Sequence, residues 1–329
     1  MAYQREGQLT LAESVLAQNE GRNERLRRIE GLVNWSRIER LVKHLHVGER
    51  GRPAYRPLTM LKVLLLQQWY GLSDPGLEEA LWDRLSFRRF AGLRGHERVP
   101  DHSTISRFRS ALAAGGLEQR ILAEVNGQLE QQGLVLKRGT LIDASLVEAA
   151  VHKPPAGEHK QYLGQGSALD PDAQWSHRKG GGGSHFGYKV HVAVDLGSGL
   201  IRKVLLTGAK TNDTEVADQL ICGDEGAVLA DKAYDSQARR ELLAGQKIAD
   251  GIMRRAWWGT ARNPDPQLVA RNQALSKIRS GVERTFALMK RSYGFRRVRY
   301  RGLARNAVQT ALLCVAINLR RAVVLTAAA

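Results

Sequence analysis

Cysteine is nearly absent from this chain: Cys222 and Cys314 are the only two in 329 residues, and neither has a second ligand at metal-binding spacing. A disulfide framework and a thiolate zinc site are thereby excluded. Histidine offers no substitute. Five of the nine fall from His152 to His191 without helical i, i+4 pairing, so no zinc site is indicated there either. The stretch Met1-Ala2-Tyr3-Gln4-Arg5-Glu6 lacks the apolar segment of a secretory signal, and the longest apolar run, Ala311 to Ile317, falls short of a bilayer span. The expectation is a cytoplasmic protein with no membrane partner.

Acidic residues are scarce at the C-terminal end. Among residues 277–329, Glu283 is the sole acid against twelve lysines and arginines, the largest share of a formal net charge of +17. The composition is otherwise that of a soluble folded protein, 43% apolar and 25% charged, and the length suits two or three domains. A basic block of this kind faces a polyanion, because neutralising phosphates releases condensed counterions. The bland alternative is a solubilising tail. Against the tail, Tyr293, Phe295 and Tyr300 are interleaved with Arg291, Arg296, Arg297, Arg299 and Arg301, a mixture able to stack on bases while contacting phosphates.

Residues 1–34 are polar and read as a flexible N-terminal arm. From 35 to 132 apolar residues recur at helical period: Trp35, Ile38, Leu41, Val42 and Leu45, then Leu58 to Tyr70 behind Pro57. Leu77, Leu81 and Leu85 follow the cap Ser73-Asp74-Pro75, Phe87 and Phe90 lie on a short helix, and Ile105, Phe108 and Leu112 follow Pro100-Asp101-His102-Ser103-Thr104. This is an all-helical domain. Its last-named helix carries Arg107 and Arg109 off the apolar face, either as DNA-reading side chains or as arginines in water.

After Gly133 the period changes. Leu134 to Val151 reads as one long strand or a strand pair, Tyr188 to Asp195 alternates, and Val204 to Leu206 continues the sheet. Ala227 to Ala230 and Lys247 to Met253 are further strands, set among helices at Thr214 to Ile221 and Gln237 to Leu243. Residues 133–329 are therefore expected to form an α/β domain, a mixed sheet flanked by helices and ending in basic ones. Between Lys153 and Gly187, sequence rich in Pro, Gly and His predicts a mobile loop.

Leu141-Ile142-Asp143 and Val228-Leu229-Ala230-Asp231 each end a strand-like run on a carboxylate. Either aspartate alone is what a turn or a helix cap would use. Beside Glu283 they form a set of hard oxygen donors, which select Mg²⁺ or Mn²⁺ over zinc. A pair of such ions about 4 Å apart activates a water or hydroxyl on one side of a phosphodiester and stabilises the leaving oxygen on the other. At about 100° per residue, Arg279, Glu283 and Lys290 share one helix face, bordered by an apolar stripe of Ile278, Val282, Phe286 and Met289. Trp257-Trp258, after Arg254-Arg255, suits stacking on an unpaired base as well as anchoring a loop. Lys189 and His191 share one face of their strand, His191 being expected at an exposed edge, and Asn212-Asp213 is expected to serve a turn.

The blocks Asp143-Ala144-Ser145, Ala230-Asp231-Lys232-Ala233-Tyr234-Asp235 and Arg279-x3-Glu283-x6-Lys290 resemble the three signatures of DDE transposases of bacterial insertion sequences, in particular the insertion sequence 5 group. The helical part is similar to that group's N-terminal domain at Pro57-Leu58-Thr59-Met60-Leu61-Lys62, Leu72-Ser73-Asp74, Ser86-Phe87-Arg88-Arg89-Phe90 and Pro100-Asp101-His102-Ser103-Thr104-Ile105. One departure is Ser276, where the related signature carries tyrosine.

The resemblance implies a ribonuclease-H-like catalytic domain in which Asp143 bridges two Mg²⁺ ions, with Mn²⁺ able to substitute, while Asp231 and Glu283 each hold one. It implies that Arg279 and Lys290 hold double-stranded DNA near the scissile phosphate. It further implies cleavage at terminal inverted repeats, attack of the freed 3′-hydroxyls on target DNA, and a homodimer or higher oligomer on the bacterial nucleoid. Arg291, Arg296, Arg297, Arg299, Arg301, Arg107, Arg109, Trp257 and Trp258 complete the expected DNA contacts. The rival readings are a structure-specific nuclease of the same fold, a transposase-derived DNA-binding regulator and an RNA-directed basic protein.

Overall fold

In the computed structural model, which describes residues 23–45, 54–94, 97–151, 170–177, 184–255 and 265–328, the chain divides into two units. One comprises residues 1–131 with 311–329, the other 132–310. Trp257 and Trp258 lie outside the described residues.

The first unit is helical and begins earlier than expected. Asn23 accepts a hydrogen bond from the Leu26 amide and so starts α1 (Glu24–Leu32), whose Leu26 and Ile29 are buried. Residues 24–32 are thus a packed helix rather than an arm, because apolar side chains three apart share a face. There follow α2 (Trp35–Val42), α3 (Pro57–Tyr70), α4 (Asp74–Asp83), α5 (Leu85–Ala91), α6 (His102–Gly115) and α7 (Glu118–Gln131). Pro57 opens α3 at a position with no amide to lose, and Gly71, at φ 66°, ends it. Between them α3 is buried on nearly every side, including Lys62, whose Nζ meets Glu30 Oε1 at 3.1 Å. The Ser73 hydroxyl and the Asp101 carboxylate cap α4 and α6 as their sequences predict. Leu85 departs from expectation: α4 ends at Asp83, and Leu85 starts α5 with 41% of its surface exposed.

Arg109 is the larger departure. It is 3% exposed, and its guanidinium grips both oxygens of Asp74, at 3.0 and 2.6 Å, with Gln67 Oε1 at 3.2 Å. It ties α6 to α4 and α3 and is unavailable to DNA. Arg107, one residue short of Phe108, faces solvent and bonds back to Ser103 and Thr104.

The second unit holds one mixed sheet: β1 (Thr140–Glu148), β2 (Gln174–His177), β3 (Ser184–Asp195), β4 (Ile201–Gly208), β5 (Ala227–Ala230) and β6 (Ala249–Ile252), in the order β2-β3-β1-β5-β6. β2 and β4 pair in succession along one edge of β3, over Ser184–Gly187 and then Tyr188–Val194. β3 is antiparallel to β1, whereas β1, β5 and β6 run parallel. α8 (Asp213–Leu220) and α9 (Gln237–Gly245) cover one face, burying Leu220 and Leu243 with Ile142, Val228 and Ile252. Two expectations change here. Residues 134–139 are not strand, since the Leu136 and Lys137 amides turn to the Asp195 carboxylate at 3.1 and 2.8 Å. The expected loop from 153 to 187 contains β2 and the start of β3, where Trp175 packs on Phe186 at 5.2 Å between ring centroids.

The chain ends in α10 (Pro266–Arg279), α11 (Gly281–Ala287), a π turn (Leu288–Ser292) and α12 (Leu303–Ala328). From Ala311 onward α12 belongs to the first unit, so the second does not reach residue 329: the Ala316 carbonyl accepts from Trp69 Nε1 at 2.8 Å, and Asn318 donates to Asn126 at 2.8 Å. By length and composition α12 is apolar enough to cross a membrane, and 67% of that apolar window is buried.

Candidate active site

β1 and β5 pair with Leu141 opposite Leu229. Two residues further along each strand stand Asp143 and Asp231, at equal offset from the pair, so both acids occupy one row across strands about 4.8 Å apart. β5 ends at Ala230 while β1 continues, so this row lies where the sheet opens. Asp231 there starts a 3₁₀ turn (Lys232–Tyr234), its Oδ1 accepting from the Ala233 amide at 2.7 Å. The turn-forming role open to any such aspartate is therefore real, and it fixes the carboxylate.

Asp143 accepts from the Ala144 amide at 2.9 Å and from Arg279 Nη1 at 2.7 Å. Burial pushes its pKa up, against the pull of the Ala144 amide and Arg279, and the nearby Asp231 charge adds to the rise. Two residues on and on the same strand face, the Ser145 hydroxyl accepts from Lys290 Nζ at 2.6 Å. Arg279 and Lys290 thus both reach β1.

They do not do so from one continuous helix. α10 stops at Arg279, α11 restarts at Gly281, and the π turn inserts a residue before Lys290. Ile278 is consequently 45% exposed, while Val282, Phe286 and Met289 remain buried as the stripe predicts. α11 lies close on β1, since a Cβ at Gly281 would stand 3.1 Å from Leu141 Cδ1.

Glu283 faces solvent from α11. Among the described residues, the only group of three ligand-bearing side chains whose atoms lie within 4.8 Å of one another is Cys222, Asp224 and Glu225. The strand register and the Arg279 bond set Asp143 beside Asp231 and Arg279, while Glu283 is exposed on α11 and does not complete a group of three within 4.8 Å. A third anion crowding the first two would raise their mutual repulsion. The Cys222 group is structural: Asp224 pairs with Lys137 at 2.8 Å and with Arg202, and burial pushes the Cys222 thiol up to about 11, away from thiolate chemistry.

Beside Asp231 and Arg279 opens a cleft of about 370 Å³, whose remaining lining is Lys232, Arg254, Asn272 and the apolar Met253, Leu268 and Val269. Asn272 holds the cleft wall in place, accepting from the Arg254 amide and donating to its carbonyl, each at 3.0 Å.

The C-terminal basic stretch is only partly as expected. Arg291, Arg296, Arg297 and Arg301 are exposed, and Arg299 is half-buried. Tyr293 and Phe295, however, are 7% and 2% exposed, so they are core residues and offer no stacking surface. Glu148 bonds to the backbone of Arg296 and Val298 at 2.9 Å each, laying this segment along the end of β1.

Behind β1, on the face away from Arg279, lies a buried polar group that no local pattern announces. His191 is fully buried on a central strand, contrary to the edge position expected, with Nε2 3.0 Å from Thr207 Oγ1. Asp213 heads α8 and pairs with Lys189 at 3.0 Å. Burial, with some help from Lys189 and against Asp213, lowers the His191 pKa from 6.5 to about 4. The folded value is depressed, so the unfolded chain binds the proton first. Stability from His191 is full above pH 6.5 and lost as pH falls towards 4, by about 3 kcal/mol in all. In urea titrations from pH 7 to 4, His191→Gln should lose less stability than the parent over this window; parallel curves would refute the assignment.

Residues 136–319 match the transposase DDE domain, and residues 13–111 match the transposase domain designated DUF772. Among solved structures, a piggyBac transposase in a synaptic complex with hairpin DNA aligns over 91% of this chain and 72% of its own. At 12% identity and a TM-score of 0.40, that similarity is too low to bear on fold or function. The match over more than half the chain, spanning Asp143, Asp231, Arg279 and Glu283, places the protein in the DDE transposase family, as a DNA-cleaving enzyme.

Proposed function

We propose that this transposase is of the insertion sequence 5 group, with a ribonuclease-H-like α/β unit. In the bacterial cytoplasm it cuts at the terminal inverted repeats of its own element and joins the freed 3′-hydroxyls to target DNA. The observation that carries the reading is the shared row of Asp143 and Asp231, with Asp231 lining a cleft that Lys232, Arg254 and Arg279 also line. The donor chemistry fits a hard divalent ion: oxygen ligands only, one of them desolvated enough to favour a strong counter-charge. Asp143, Asp231 and Glu283 would hold a pair of Mg²⁺ or Mn²⁺ ions, which when bound activate the attacking oxygen and stabilise the leaving one.

The protein's own groups do the rest. Arg279 and Lys290 present cations on the Asp143 side of β1 and bind the phosphates flanking the scissile bond. Lys232 and Arg254 line the adjoining cleft and keep the strand in place. Arg291, Arg296, Arg297, Arg299 and Arg301 extend the phosphate-binding surface, and Arg107 on α6 serves the helical unit in the same way. Two DNA ends must be held together for joining, so the working form is at least a dimer.

Duplexes ending in the element's terminal repeat, pre-cut to expose the 3′-hydroxyl, provide the test. In Mg²⁺ the protein should join them to a second duplex. A nuclease of the same fold would cut intact ends and never join, and that result would reject the transfer reaction while leaving cleavage standing.

A further inference from the structure

Arg279 holds Asp143 by a single bond. Its Nη1 donates to Asp143 Oδ2 at 2.7 Å, and the two side chains are sheltered, 18% and 19% exposed. The other carboxylate oxygen, Oδ1, accepts from the Ala144 amide at 2.9 Å. A group read as a metal ligand is therefore occupied by a cation that the chain itself supplies. Charge sets the two uses of Asp143 against each other. A guanidinium in contact with Oδ2 would stand beside a divalent ion on the same carboxylate, and like charges at that range repel strongly where water is largely kept out.

The hold is incomplete on the arginine's side. Arg279 Nε is buried and has no hydrogen-bond partner among the described residues, and a buried donor left in that state is costly. A guanidinium binds an anion best through two parallel N–H groups, whereas Asp143 takes one. A phosphate would accept from Nε and an Nη together and so satisfy the donor that the carboxylate leaves unpaired. Arg279 also lines the cleft beside Asp231, so an anion entering there meets it. Lys290 takes a different hold on β1, on the neutral Ser145 hydroxyl at 2.6 Å.

We propose that Arg279 couples metal loading to DNA binding: in the free protein it occupies Asp143 and weakens capture of a divalent ion, and a DNA phosphate draws it off and opens the carboxylate to the ion. DNA and metal then bind with positive cooperativity. By linkage, each tightens the other by the same factor. A loaded site forms where there is DNA to act on. The inference rests on the reading of Asp143 as a metal ligand.

Mn²⁺ titrated into the full chain, with free ion followed by electron paramagnetic resonance, reads this coupling without activity. A saturating duplex whose end is already cut gives the DNA-bound state, and Asp143→Asn with the same duplex gives the ions held by DNA alone. The parent should bind Mn²⁺ about 10-fold more tightly with the duplex than without it, within the usual range of coupling between two sites. Without DNA, Arg279→Gln should bind Mn²⁺ about 10-fold more tightly than the parent, and it should gain correspondingly less from the duplex. Arg279→Lys, which keeps the charge on a shorter side chain without the fork, should follow Arg279→Gln. Parental affinity in DNA-free Arg279→Gln, with Asp143→Asn not binding, overturns the coupling and leaves the metal site standing. A lysine variant that binds as weakly as the parent also overturns it, by assigning the effect to charge at a distance. Binding undiminished in DNA-free Asp143→Asn overturns the metal site itself and the inference with it.

Discussion

Asp143→Asn and Asp231→Asn should each abolish DNA cleavage in Mg²⁺, by well over the roughly 100-fold that follows loss of an outer-shell contact, because a direct ligand is removed. Binding of the end sequence, read by mobility shift, should persist. Asparagine has the same shape, keeps a carbonyl oxygen for Arg279 or for the Ala233 amide, and removes a negative charge from a surface that must accept phosphate. Folding should survive as well, since the Asp143 carboxylate is desolvated and its ionised form is a cost to the native state. Cleavage at the parental rate in either variant would end the assignment. Glu283→Gln sharpens the result. Equal loss would show that α11 delivers its exposed carboxylate to the other two during the reaction; unchanged cleavage would confine the site to the aspartates.

The second large effect concerns stability. Arg109→Ala should destabilise the helical unit by about 3 kcal/mol, because Asp74, only 19% exposed, is left as an uncompensated charge and Gln67 loses a donor. Arg109→Lys should recover little, since an ammonium cannot grip both Asp74 oxygens at once. Urea unfolding measures both. Arg107→Ala, by contrast, should change stability by less than about 0.5 kcal/mol and weaken DNA binding instead. If the two alanine variants unfold alike, the division of labour between these neighbouring arginines is wrong.

These neighbours show where local pattern stops. Arg107 stands opposite the apolar stripe of Ile105, Phe108 and Leu112, whereas Arg109, four residues after Ile105 and three before Leu112, falls on it at helical period; the period sets its inward direction but names nothing to neutralise the charge there. Asp74, thirty-five positions away, makes the difference. Tyr293 and Phe295 likewise look like stacking residues among arginines until the packing of their segment turns both rings inward. Ser145 became visible as a site residue only through its bond to Lys290, and Asp213 only through burial. The interruption of the helix between Arg279 and Lys290 left no strong mark either, since Ser280-Gly281 is tolerated within many helices.

The residues alone determined the helical first half with its caps at Ser73 and Asp101, the change to strands after Gly133, Asp231 at the end of β5 and the basic C-terminal stretch, whereas Asp143 lies within β1 and does not end it. Each depends on neighbours within a few positions, through capping, side-chain period or charge density. Tertiary structure decided the rest: the register that sets Asp143 level with Asp231, the Asp74 that pairs with Arg109, the outward Glu283 and the polar cluster behind β1. Those follow from which surfaces meet across the fold, where burial and charge pairing between distant segments outweigh any local preference.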